Sequence, residues 1–267
     1  MAAKEDIREQ ERERIRRLIR SEFQAELGAC RDLHAVVIDV VERHTPELSA
    51  PLGTAAGPAV MFLFCKAWRS FSAACILARE GHGPDAMVVA RSLVNATIDL
   101  GYIAMTREDC EDRAWQWSAV GLKAQRDYLQ QFGMAPEGTQ DCNWPKIEAQ
   151  VKCWRDLKII GRAKHAGLED LYKIAYAAGS SPEHSDSWSS IDYIEENTQG
   201  GLSFQVGPCE KGVARALSAA CWGLSEAFIR WCRFFELDED RAMRRVVEIG
   251  HQFSHPTQTR GDGTGQS

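Results

Sequence analysis

The sequence predicts an all-α protein: an irregular bundle of about seven helices with a charged N-terminal helical arm. Three observations lead there. Apolar residues recur three and four apart over long stretches, as in Phe23, Leu27, Cys30, Leu33, Val37, Val40 and Val41, the spacing that lines one face of a helix. Glycine and proline cluster between such stretches, at Pro46–Gly57, Gly81–Pro84 and 133–145, where they punctuate helices. The strict apolar–polar alternation of a half-buried strand is almost missing. Only Leu202-Ser-Phe-Gln-Val206, set between glycines, reads as a brief extended piece.

Each element follows from the same pattern. Residues 4–20 are dense in charges of both signs, with Glu9/Arg12, Glu13/Arg16 and Glu13/Arg17 at helical pair spacing. One helix is expected over about 4–43. Its first half has a thin apolar stripe (Ile7, Ile15, Leu18, Ile19) and is expected to project from the body, solvated or packed on a second subunit. A second helix is expected over about 58–80 and a third over about 85–106. The break between them, Gly81-His-Gly-Pro84, is short enough to make them a packed hairpin. The third is apolar nearly all round, which marks a central, buried helix. Further helices are expected at about 109–132, 146–160, 167–178, 209–236 and 239–254. The domain organisation is an arm (1–22), one helical domain (23–255) and a disordered tail (256–267).

With 267 residues, 44% hydrophobic and 26% charged, the chain is long enough to bury a substantial core. This balance excludes a disordered chain, a collagen-like repeat and a disulfide mini-scaffold. A formal net charge of −6 excludes a whole-chain basic field for nucleic acid, though not a local basic patch. The nine cysteines stand singly with no Cys-x-x-Cys pair, so they read as reduced thiols buried as small hydrophobes. The charged N-terminus has no secretory apolar core, and the longest apolar run, 59–67, is interrupted by Lys66. A cytoplasmic protein with no membrane partner is expected.

Chemistry concentrates in two segments. Arg91, Asn95 and Asp99 lie at i, i+4 and i+8, on one face of the apolar third helix. A cation in such a setting requires a carboxylate, carbonyl groups or a ligand. Lys66 on the preceding helix is placed to approach the same stripe and to pair with Asp99. Downstream, Tyr176-x3-Ser180-x3-His184 followed by Asp186 combines imidazole, hydroxyl and carboxylate, the composition of a general acid–base site. The same residue types also make turns and helix caps. Trp188, Trp222 and Trp231 read as core. His251-x3-His255 has a metal-compatible spacing but lacks further ligands; no metal and no cofactor are expected.

The run Ala90-Arg-Ser-Leu-Val-Asn95, the lysine-bearing helix before it and the Tyr/Ser/His segment after it resemble a bacterial family of all-helical proteins of unknown function. The resemblance covers about 58–195. It places Lys66, Arg91, Tyr176, Ser180 and His184 on the family's R-S-L-x-E and Tyr-x3-Ser-x3-His pattern, with Asn95 standing where the family has glutamate. It implies a fold rather than a reaction. A weaker similarity is to HEPN-type helical domains, which include metal-independent ribonucleases with an Arg-x4-6-His signature. Arg245-Val-Val-Glu-Ile-Gly-His251 has that spacing, with Val246 in place of the usual polar residue.

Three readings of function follow. In the first, Lys66, Arg91, Asn95 and Asp99, with Tyr176, Ser180 and His184, form a polar centre that binds a small anion or simply holds the fold. His184 and Arg91 are then the candidates for any catalysis. In the second, Arg245 and His251 cleave RNA in a toxin or phage-defence setting. In the third, residues 4–30 serve as a dimerisation arm.

Overall fold

A computed structural model describes residues 2–48, 55–134, 142–176, 179, 194–196, 201–204 and 207–254. Among them are ten α-helices rather than about seven: α1 (Ala2–Glu22), α2 (Gln24–Leu48), α3 (Ala56–Arg79), α4 (Gly83–Ile103), α5 (Cys110–Gln131), α6 (Trp144–Asp156), α7 (Ile159–His165), α8 (Glu169–Leu171), α9 (Val213–Phe234) and α10 (Asp240–Ser254). A short π-helix, Tyr172–Tyr176, continues α8. The extended piece exists as β2 (Leu202–Phe204), paired antiparallel with β1 (Ile194–Glu196), which the alternation did not reveal. Apart from this hairpin the described residues form an all-α protein.

The extra helices come from two splits. The expected first helix is interrupted at Phe23, although backbone bonds run through the break, Phe23 N–H to Ile19 O and Leu27 N–H to Phe23 O. The expected helix at 146–160 ends at Asp156. Leu157 and Lys158 turn extended (ψ 86° and 158°), and α7 starts afresh at Ile159.

The core is built on α4, which packs along both α3 and α9. Leu93, Val94, Ile98, Leu100 and Ile103 of α4 are fully buried. From the flanking helices, Phe64 stacks on Trp231 with ring centroids 4.6 Å apart. Helices α4 and α9 approach closely at Gly223, where an added Cβ would lie 2.2 Å from Leu93 Cδ2. The Thr97 hydroxyl there lies 3.1 Å from the carbonyl oxygens of both Leu93 and Gly223. No uninterrupted apolar run reaches membrane length, yet averaged over 18 residues α3 and α4 are apolar enough to cross one. In α4 that hydrophobicity is used against α3 and α9.

The arm does not project as expected. Ile15 and Ile19 are buried in the common core, and Arg16 Nε donates to Glu80 Oε2 at 2.7 Å, fastening α1 to the end of α3. Ile15 and Ile19, one turn apart, already give the thin stripe a docking face. At the other end, Glu239 is buried and receives Arg43 at 2.6 Å and His44 at 2.9 Å, tying α2 to the α9–α10 connection. Five of the nine cysteines (30, 75, 110, 221 and 232) are buried. Burial pushes the Cys232 thiol up to about 12. The tail at 256–267 lies outside the described residues.

The Gly81–Gly83 turn has a steric logic that spacing alone hides. Gly81 has φ 84°, a left-handed conformation suited to glycine, and its carbonyl accepts from Cys209 N–H at 2.9 Å. A Cβ on Gly83 would stand 2.0 Å from the Lys211 carbonyl oxygen. The segment entering α9 therefore lies directly on the hairpin turn. Gly83→Ala is expected to lower stability by more than about 2 kcal/mol, because the opposing atoms are backbone and cannot yield. Gly121→Ala, on an open face of α5, is expected to raise it by about 0.5–1 kcal/mol through helix propensity. Chemical denaturation of the two variants checks both.

Candidate functional site

The polar stripe of α4 is real, but its members have partners that the sequence reading did not assign. Asp99 is buried, and its Oδ1 accepts from Arg162 Nε at 2.8 Å. Lys66 is not its ion-pair partner. That lysine is exposed on α3, although its charge still pulls the Asp99 carboxyl downward. Burial acts in the opposite direction and dominates, raising the carboxyl above its usual range, with Arg162 opposing it.

Arg162 is a buried cation paired with this stripe, and the sequence pattern does not point to it. It sits on the short helix α7, between the helices that the sequence predicts at 146–160 and 167–178. Its neighbours satisfy it well. Nη1 donates to the carbonyls of Trp154 at 3.2 Å and Leu157 at 2.6 Å, and the guanidinium lies over the Trp154 ring, 4.5 Å from its centroid. Those carbonyls belong to the last turn of α6, where a cation is favoured by the orphan acceptors and the helix dipole. One detectable signal existed: an aspartate on an otherwise apolar helix requires a buried donor. Sequence alone could not choose that donor among many arginines.

Arg91, two turns from Asp99, is half-buried rather than sealed in the interior. Its Nη2 donates to Tyr176 Oη at 2.9 Å, and its guanidinium carbon lies 4.5 Å from the Tyr176 ring centroid. Tyr176 is itself stacked on Tyr172, 5.0 Å away. Both tyrosines belong to the π-helix, a wider turn often found at functional positions. Gly179 is buried against the same arginine: a Cβ there would stand 2.7 Å from Arg91 Cβ and 3.1 Å from the Met87 carbonyl oxygen. The structure thus brings together Arg91 and Tyr176, which stand 85 positions apart and both belong to the family-like pattern. Asn95 is half-buried between Arg91 and Asp99. Ser180 and His184 lie outside the described residues, as do Trp188 and His255.

The second candidate pair is not assembled. Six residues on an α-helix place two side chains about 120° apart around the axis, and Arg245 and His251 diverge accordingly on α10. Arg245 is exposed and engaged by Glu248 at 3.2 Å and Asp32 at 3.6 Å. His251 instead borders a pocket of about 440 Å³ walled by Leu171, Ile174, Trp222, Ile229 and Val247. The other charged residues at that pocket, Asp170 and Glu226, are acidic, a poor setting for a phosphate backbone. Among the described residues no group of three histidine, cysteine or carboxylate side chains is placed to hold a metal ion.

The fold and this centre define a class: an all-helical protein with a polar seam between its central helix and a downstream tyrosine-bearing segment. Residues 58–201 match a family of unknown function, DUF5677. That span is more than half of the chain, and the protein belongs to this family. It contains α4, α7 and the π-helix, and so all of the seam. No curated protein and no solved structure matches the chain.

Asp99→Ala is expected to cost about 3–5 kcal/mol, because it leaves Arg162 buried without its counter-charge. Asp99→Leu combined with Arg162→Met is expected to cost clearly less than Asp99→Ala alone, since it leaves no unpaired charge. Urea unfolding of the variants measures both.

Proposed function

We propose that the protein is a helical binding protein for a small anionic ligand, held at Arg91 with help from the Tyr176 hydroxyl. The observation that carries this reading is the joining of Arg91 to Tyr176. A guanidinium on the central helix is set against a tyrosine from a π-helix, half-buried, so that it is partly desolvated yet within reach of solvent. Such a guanidinium offers a planar donor edge to a carboxylate or a single phosphate, and a phenol beside it supplies a donor that can turn toward the ligand. Ser180 and His184 follow Tyr176 closely in the chain and are the natural further contacts. In this reading they orient the ligand or, with Arg91, act on it. Asp99 does not take part, because it belongs to Arg162.

Thermal unfolding with acetate, citrate and phosphate tests the reading. At about a hundredfold excess over its dissociation constant, a ligand of the native state should raise the melting temperature by about 5 °C or more. Arg91→Gln should abolish that rise, and Tyr176→Phe should reduce it. Rises of equal size in wild type and Arg91→Gln would contradict it.

A further inference from the structure

A second cationic site lies where the last turns of α1, the first turns of α2 and the end of α3 meet. Arg17, Arg20, Arg31 and Arg79 converge there on a pocket of about 680 Å³, with Ser21 and Gln24 on its wall and the largely buried Leu27 as its apolar floor. Among the described residues no carboxylate lines it.

The distribution of partners sets these arginines apart. On α1 the exposed Arg12 and Arg14 pair with Glu9 and Glu11, and the half-buried Arg16 pairs with Glu13 and Glu80. The arginines that line the pocket, all four exposed, have no carboxylate partner among the described residues. Arg17 Nε makes only a long bond, 3.4 Å, to the Glu13 carbonyl oxygen. Among the described residues Arg20, Arg31 and Arg79 take part in no ion pair. Glu13 on α1 and Glu80 at the end of α3 both pair with Arg16 instead. Arg79's charge is also felt in the core, where it lowers the Cys30 and Cys75 thiols against stronger effects that raise them.

Four like charges around one concavity repel one another, and in a chain of net charge −6 a shared anion is the means of relieving that repulsion. Four guanidinia offer more forked donor pairs than one phosphate needs, and a linear oligophosphate suits them because each of its phosphates accepts such a pair. The volume falls in the range of pockets that hold small molecules. We infer that this pocket binds the oligophosphate chain of a small molecule, clamped by Arg17, Arg20, Arg31 and Arg79.

Isothermal titration calorimetry with sodium triphosphate at physiological salt tests this. Saturable one-to-one binding is expected, weakened about tenfold or more by Arg31→Gln and by Arg79→Gln, as the loss of a charge-assisted bond implies. Arg69→Gln, which removes an exposed charge of α3 outside the pocket, should change affinity less than twofold. Circular dichroism confirms that the exposed substitutions leave the fold intact. A parallel titration with adenosine triphosphate assigns the recognition: equal affinity places it in the phosphate chain, and tighter binding adds a contact to the base. Absence of saturable triphosphate binding, equal weakening by Arg69→Gln, or binding of a 12-nucleotide RNA with triphosphate ignored would overturn the inference.

Discussion

The ion pair between Asp99 and Arg162 is the constraint on which the arrangement of this protein's polar centre depends. A carboxylate on the central helix and a guanidinium on a seven-residue helix are both buried, 2.8 Å apart. Neither is tolerable in the interior alone. Together with the two carbonyls at the end of α6 and the Trp154 ring, they form one satisfied cluster. Three elements therefore meet at one point: α4, the end of α6 and the whole of α7. Moving α7 away from α4 would leave two buried charges without partners, and that penalty holds α7 in place.

That fixed point sets the position of everything downstream. From Asp99 back to Arg91 is about 12 Å along α4, at 1.5 Å per residue. The chain leaving Arg162 runs through α8 and the π-helix over the same face, and ends with Tyr176 on Arg91. Arg230 helps at the midpoint, donating from α9 to the Ala166 carbonyl at the end of α7. The seam between Arg91 and Tyr176 is thus held from both sides, by the ion pair at one end and by the close packing of Gly179 on Arg91 at the other.

Much of the fold was legible because it rests on local chemistry. Helix α4 announced itself by being apolar on every side, and the α3–α4 hairpin by its short glycine break. The pairing of Arg91 with Tyr176 was legible only as a spacing of residue types in a family-like pattern, and the geometry gave it substance. What sequence could not show depended on contacts between distant segments. Arg162 looked like part of a connector because nothing local distinguishes a short helix held by tertiary contacts from a loop. The docking of α1 depends on where Ile15 and Ile19 meet the body, a contact between distant segments that spacing along one helix does not reveal. The four-arginine pocket was hidden because its members come from three helices, and in sequence they look like an ordinary solvated charge pattern.

The central claim is that the buried ion pair holds the tyrosine segment in place over Arg91. Amide hydrogen exchange in an Arg162→Met variant tests it most directly. The account predicts that Tyr172–Tyr176 loses protection first and by the largest factor, while the core of α9 keeps most of its own. Protection of Tyr172–Tyr176 unchanged from wild type, or lost only in step with α9, would contradict it.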